Sequence, residues 1–107
     1  MQSWLYLILA IIFEVAGTTF MKLSNGFTKL VPSVMMFVFY ILSLVVLTYA
    51  LKKFDVSVAY AIWAGVGTAL ITIVGFVFFK EPITLMRIGS VLFIIIGVVG
   101  LHLSSSV

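Results

Sequence analysis

Apolar residues run along this chain in four long stretches, broken by short charged punctuation. Leu30 to Leu51 carries no charge over 22 residues and Val56 to Phe79 none over 24. At about 1.5 Å per helical residue, each is long enough to cross a hydrocarbon core of about 30 Å. Gln2 to Met21 is a third run of 20 residues, interrupted only by Glu14. The fourth, Ile88 to Leu101, has 14 uncharged residues. It spans only if Thr84 to Arg87 joins it with the Arg87 head snorkelling to the interface, or where the bilayer is thin. The pattern predicts helices over about 3–21, 31–51, 57–79 and 84–103, an all-α, four-helix transmembrane bundle forming one domain over residues 1–107.

Composition removes the soluble alternative. Of the 107 residues, 64% are hydrophobic and 8% charged, against roughly 25% charged in a soluble globular domain. A chain this short buries only about two-thirds of the surface its unfolded form exposes, so lipid must be its solvent. Met1 to Met21 has no leading Lys or Arg of the kind that opens a cleaved secretory signal, and is expected to be retained. With no cysteine, disulfides and thiolate metal sites are excluded. The net charge of +3 lies in membrane-surface loops, where it suits anionic lipid headgroups rather than nucleic acid.

Short connections make neighbouring helices antiparallel: one holds Asn25-Gly26, one spans about Lys52 to Val56, and one contains Pro82. The loops at 22–29 and 80–87 carry Lys22, Lys29, Lys80 and Arg87, against Lys52 and Lys53 on the other side. The positive-inside rule gives only a weak bias from this, toward outside termini. So small a bias suits insertion in both orientations, and four thin helices enclose little by themselves, so a dimer, of parallel or antiparallel protomers, is expected.

Glu14 is the residue around which function is argued. A carboxylate near the bilayer centre costs several kcal/mol and persists where it lines a cavity or pathway. Low dielectric penalises its ionised form, so a proton or a bound cation can each neutralise it. The alternative is a neutral, structural hydrogen-bonding group. On a helix, Trp4, Leu7, Ile11, Glu14, Thr18 and Met21 share a stripe with Gly17 beside it, a plausible pocket wall. Thr18 can equally bond back to its own helix. Tyr60, Trp63 and Gly67 share a face of the third segment. Aromatic faces attract organic cations by about 0.5–2 kcal/mol, although an interfacial belt is the alternative. Tyr40 and Ser43 can bond Glu14 or a ligand, or simply pack. Gly65 and Gly67 allow either a helix bend or close packing. Gly89, Ser90, Gly97 and Gly100 form a small-residue face suited to a dimer contact. His102 lies at the last boundary with no second ligand nearby. No nucleophile with a partnered base, glycine-rich phosphate loop or metal-ligand cluster points to an enzyme or a cofactor.

In three stretches, Glu14-Val15-Ala16-Gly17-Thr18-Thr19, Lys22 with Ser24-Asn25-Gly26-Phe27-Thr28, and Ala59-Tyr60-Ala61-Ile62-Trp63-Ala64-Gly65-Val66-Gly67, the chain resembles the small multidrug resistance transporters. The resemblance implies an antiparallel homodimer of dual topology, or a heterodimer with a paralogue, in the inner membrane. The two copies of Glu14 would share one site for protons or a cationic substrate. Trp63 and Tyr60 would form aromatic walls, Tyr40, Ser43, Thr18 and Gly17 would line the pocket, and Gly65 to Gly67 would bend the third helix. Two departures stand out: Trp4 replaces an early tyrosine, and Ser90 beside Gly89 replaces the first glycine of the fourth-helix dimer motif. Guanidinium exporters of the family carry a tryptophan where this chain has Gly17, so the resemblance favours the multidrug branch, a small glycine leaving room for bulky quaternary ammonium compounds. The expected activity is proton-coupled antiport of lipophilic cations. The alternatives are guanidinium export, a cation channel, or a membrane subunit without transport of its own.

Overall fold

The computed structural model describes residues 2–105, and among these it contains four helices and no strand. They are α1 (Gln2–Leu23), α2 (Leu30–Ala50), α3 (Val56–Val77) and α4 (Leu85–Ser105). Each is long and apolar enough to cross a bilayer. Leu30, Leu85 and Phe93 are more than three-quarters exposed, a surface that only lipid or a partner helix covers favourably. The chain is a multi-pass membrane protein.

Without water in the hydrocarbon, backbone groups must be satisfied within the helix, and hydroxyls must find their own acceptors. Thr19, Thr48, Thr68 and Thr72 donate to the carbonyl four residues back, at 2.7–2.8 Å. Pro32 is tolerated in α2 because it falls in the first turn, whose N–H groups have no intrahelical acceptor. Thr84 sets the start of α4: its hydroxyl accepts the Arg87 N–H at 3.1 Å and its carbonyl accepts the Ile88 N–H at 3.1 Å. That cap brings Arg87 into the first turn and lengthens the weakest apolar run to 21 residues. At the other end of the α3–α4 connection, α3 stops at Val77 and the chain turns through Lys80 at φ 58° ahead of Pro82.

The chain divides into two compact units, residues 1–54 and 55–107. In the first, α1 and α2 are antiparallel. Trp4 meets Phe54 edge-on at 4.9 Å, Tyr6 lies 5.7 Å from Tyr49, and Phe20 stacks on Phe39 at 5.7 Å. Three successive residues of left-handed conformation, Asn25, Gly26 and Phe27 (φ 49°, 69° and 67°), reverse the chain between the helices. Buried Ser24 holds this turn: its hydroxyl donates to the Met21 carbonyl at 2.7 Å and accepts the Phe27 N–H at 3.2 Å.

In the second unit α3 packs on α4. A β-carbon at Gly65 would stand 2.5 Å from Val98 Cγ2, so the bare glycine is what allows α4 so close. α3 is helical without a break through Gly65 and Gly67, and Gly65 acts here through close packing. Gly75 accommodates the Glu81 carboxylate, which folds back over the end of α3 and accepts from Arg87 Nη1 at 3.4 Å. None of the membrane span of α4 is buried, and β-carbons at Gly89, Gly97 and Gly100 would meet nothing. Within the second unit the small-residue face is therefore uncovered.

Candidate functional site

Glu14, Gly17, Thr18 and Tyr40 come together in the first unit because of helical spacing and one missing side chain. Thr18 stands one turn after Glu14, and its hydroxyl donates to Glu14 Oε2 at 2.8 Å. Of the two possibilities open to Thr18, the structure adopts the one that turns it toward the acid. Its oxygen is also 2.6 Å from the Tyr40 hydroxyl, so a continuous hydrogen-bonded chain runs from α2 to the carboxylate. Glu14 and Tyr40 are both half-buried, which leaves each with a side that a ligand can reach.

Gly17 makes this geometry possible. A β-carbon there would lie 2.6 Å from Tyr40 Cδ1 and 2.8 Å from Cε1, far inside van der Waals contact. The Tyr40 ring therefore lies directly against the α1 backbone, and its hydroxyl reaches Thr18. This corrects one expectation: the space above Gly17 does not stand open for substrate, because the Tyr40 ring fills it. The sequence left Tyr40 open between bonding Glu14, bonding a ligand and plain packing, and gave no sign that Gly17 and Tyr40 interlock.

Ser43 requires a second correction. Its side chain is almost fully buried and its hydroxyl donates to the Ala10 carbonyl at 2.7 Å, so it clamps α2 to α1 instead of lining a pocket. Hydrogen bonds between membrane helices contribute on average about 0.6 kcal/mol. Ser43→Ala should therefore cost about 0.5–1 kcal/mol in a reversible unfolding titration in mixed micelles, with the loss in stability and not in cation affinity.

Tyr60 and Trp63 adjoin each other on α3, their rings 5.5 Å apart and inclined by 54°. Tyr60 is mostly exposed. The Trp63 indole N–H is buried and has no hydrogen-bond partner among the described residues. An indole N–H without an acceptor costs about 1–3 kcal/mol, and a ligand or a second protomer is one source of such an acceptor. Two offset aromatic faces are presented here without any charge of their own.

A half-buried acid on α1, linked through Thr18 to a tyrosine of α2, and an aromatic pair on α3 make up the candidate site. The profile of the Small Multidrug Resistance protein family matches residues 2–96. The chain is a small multidrug resistance protein. It is 57% identical over 102 residues to the membrane protein YvaE of Bacillus subtilis strain 168, covering 95% of this chain and 86% of that one. It is 45% identical over 106 residues to the multidrug resistance protein EbrB of the same strain, covering 99% and 91%. It is 40% identical over 101 residues to the quaternary ammonium compound-resistance protein QacH of Staphylococcus saprophyticus, covering 94% of each. Proteins named guanidinium exporters also match, at lower identity. Small multidrug resistance proteins are drug and cation efflux transporters of the bacterial inner membrane and assemble as antiparallel dimers.

Proposed function

We propose that this protein is a proton-coupled antiporter that exports lipophilic and quaternary ammonium cations. The observation that carries the reading is Glu14, the one acid within the four helices, half-buried and fitted with a hydrogen-bonded partner. An ionised Glu14 attracts a hydrophobic cation, protonation removes the attraction, and the cation leaves. One pair of carboxylates in a dimer cannot neutralise both ligands at once, so inward proton movement drives outward cation movement. Tyr60 and Trp63 supply aromatic faces, which favour cations whose charge is spread over organic bulk. Thr18 and Tyr40 orient the carboxylate, and Gly17 seats Tyr40. Helix α4 offers the open face of Gly89, Ser90 and Gly97 for the contact between protomers. The assembly in this reading is an antiparallel homodimer of dual topology, with a paralogous partner as the alternative. Gly65 seats α4 against α3, and in this reading Gly67 gives α3 the freedom to flex as the dimer alternates.

The second reading, guanidinium export, rests on the relatives named for that activity. It is opposed by Gly17, which stands where the resemblance places a tryptophan in that branch. Binding of tetraphenylphosphonium to purified protein, followed across pH, tests the first reading. Affinity should fall as pH is lowered, because protons and cation compete for one charge. A protein that ignores tetraphenylphosphonium at every pH but carries guanidinium into liposomes would overturn it.

A further inference from the structure

We infer that the Tyr40–Thr18–Glu14 chain is a reversible relay, which makes Tyr40 a hydrogen-bond acceptor toward the site when Glu14 is ionised and a donor when Glu14 is protonated, and so favours cations that carry an N–H. The inference rests on the reading of Glu14 as the shared site for proton and cation.

The argument is a count of hydrogens. Thr18 has one hydroxyl hydrogen and lies within bonding distance of both neighbours, 2.8 Å from Glu14 Oε2 and 2.6 Å from the Tyr40 oxygen. An ionised carboxylate can only accept. Thr18 must then give its hydrogen to Glu14, and its own oxygen is left to accept the hydrogen of Tyr40. Both hydroxyl hydrogens are committed toward the acid, and the tyrosine turns only lone pairs outward. A protonated Glu14 has a hydrogen to give. When Glu14 keeps that O–H bond and donates it across the 2.8 Å contact to the Thr18 oxygen, the Thr18 hydrogen turns to the Tyr40 oxygen and the Tyr40 hydrogen turns to point away. No bond between heavy atoms changes; two hydroxyls rotate.

The consequence is chemical selectivity. A protonated amine entering beside ionised Glu14 meets the carboxylate and a second acceptor at Tyr40. After Glu14 takes up a proton, the same N–H meets a donor. A quaternary ammonium ion has no N–H and feels only the charge. The other groups of this helix pair that can ionise lie far from the relay: Lys22 and Tyr6 on α1 are each eight residues from Glu14, and Tyr49, which joins Tyr40 as the second tyrosine of α2, is nine residues from it and lies against Tyr6.

The test uses the full chain reconstituted in liposomes, with ring-carbon-labelled tyrosine, and two probes, benzylammonium, which has three N–H groups to share between Glu14 and Tyr40, and benzyltrimethylammonium, which has none. The infrared C–O stretch that disappears in Tyr40→Phe reports whether that hydroxyl donates or accepts. It should shift between high and low pH in the wild type and in Thr18→Ser, stay fixed in Thr18→Val, and be independent of pH in Glu14→Gln. At high pH, Tyr40→Phe should lower the affinity ratio of the primary over the quaternary probe about tenfold, one charge-assisted hydrogen bond of about 1.4 kcal/mol. A band that does not move with pH, or moves equally in Thr18→Val, overturns the relay, as does an unchanged affinity ratio in Tyr40→Phe. If wild-type affinity for both probes is independent of pH, what fails is the underlying reading of Glu14, and the relay falls with it.

Discussion

Replacing Glu14 by glutamine should abolish pH-dependent cation binding and leave cells carrying the variant as sensitive to quaternary ammonium compounds as cells without the protein. The size of the effect follows from the electrostatics. A unit positive charge about 4 Å from a carboxylate is stabilised by about 4 kcal/mol at an effective dielectric of 20, close to a thousandfold in affinity. Two aromatic faces together supply less. Glutamine is nearly isosteric, and its amide oxygen can still accept the Thr18 hydrogen bond now made at 2.8 Å, so loss of folding is not the expected cause. Helical, dimeric protein with no competition between protons and tetraphenylphosphonium is the expected result. Glu14→Asp separates charge from position. It keeps the acid but withdraws it by one methylene from Thr18, and should retain pH-dependent binding with affinity lowered on the order of tenfold. Full resistance in Glu14→Gln would show that the acid is structural and that transport runs through other groups.

The four spans were legible in the sequence because the physics that forms them is coarse. Uncharged runs such as Leu30 to Leu51 and Val56 to Phe79 need only length and apolarity to become helices in lipid, and no partner decides the matter. Glu14 was legible for the same reason, since an acid in such a run has no bland explanation as a solvated charge. What stayed hidden depends on which side chain meets which across a helix pair. Ser43 and Tyr40 sit three residues apart on α2 and read as equivalent hydroxyl donors. The packing of α1 against α2 separates them, handing Ser43 to the Ala10 carbonyl and Tyr40 to Thr18. Gly65 read equally as a bend or a contact until Val98 was found pressed against it. Register of this kind is set by small contacts of one helix on another, and periodicity along a single helix does not contain it.

The interlock of Gly17 with Tyr40 leads to the second large effect. Any side chain at position 17 must displace the tyrosine ring, since even a β-carbon would sit 2.6 Å from Cδ1, and a ring held at its base has no flexible end to swing aside. Gly17→Leu should cost about 1–3 kcal/mol in unfolding, as overpacking does. It should also break the 2.6 Å contact between Tyr40 and Thr18, weakening cation binding through lost orientation of Glu14. Removing the ring removes the conflict. Gly17→Leu combined with Tyr40→Ala should therefore be more stable than the two separate losses predict, with a coupling of about 1–3 kcal/mol in a double-mutant cycle. The same constraint bears on specificity. If a tryptophan at position 17 narrows the site around a small planar ion, as the guanidinium branch suggests, it can do so here only with a smaller residue at position 40. Gly17→Trp alone should then disable the transporter, whereas Gly17→Trp with Tyr40→Ala should fold and shift preference from tetraphenylphosphonium toward guanidinium. Additive losses in the cycle, or a Gly17→Trp protein that binds tetraphenylphosphonium normally, would show that the two positions act independently.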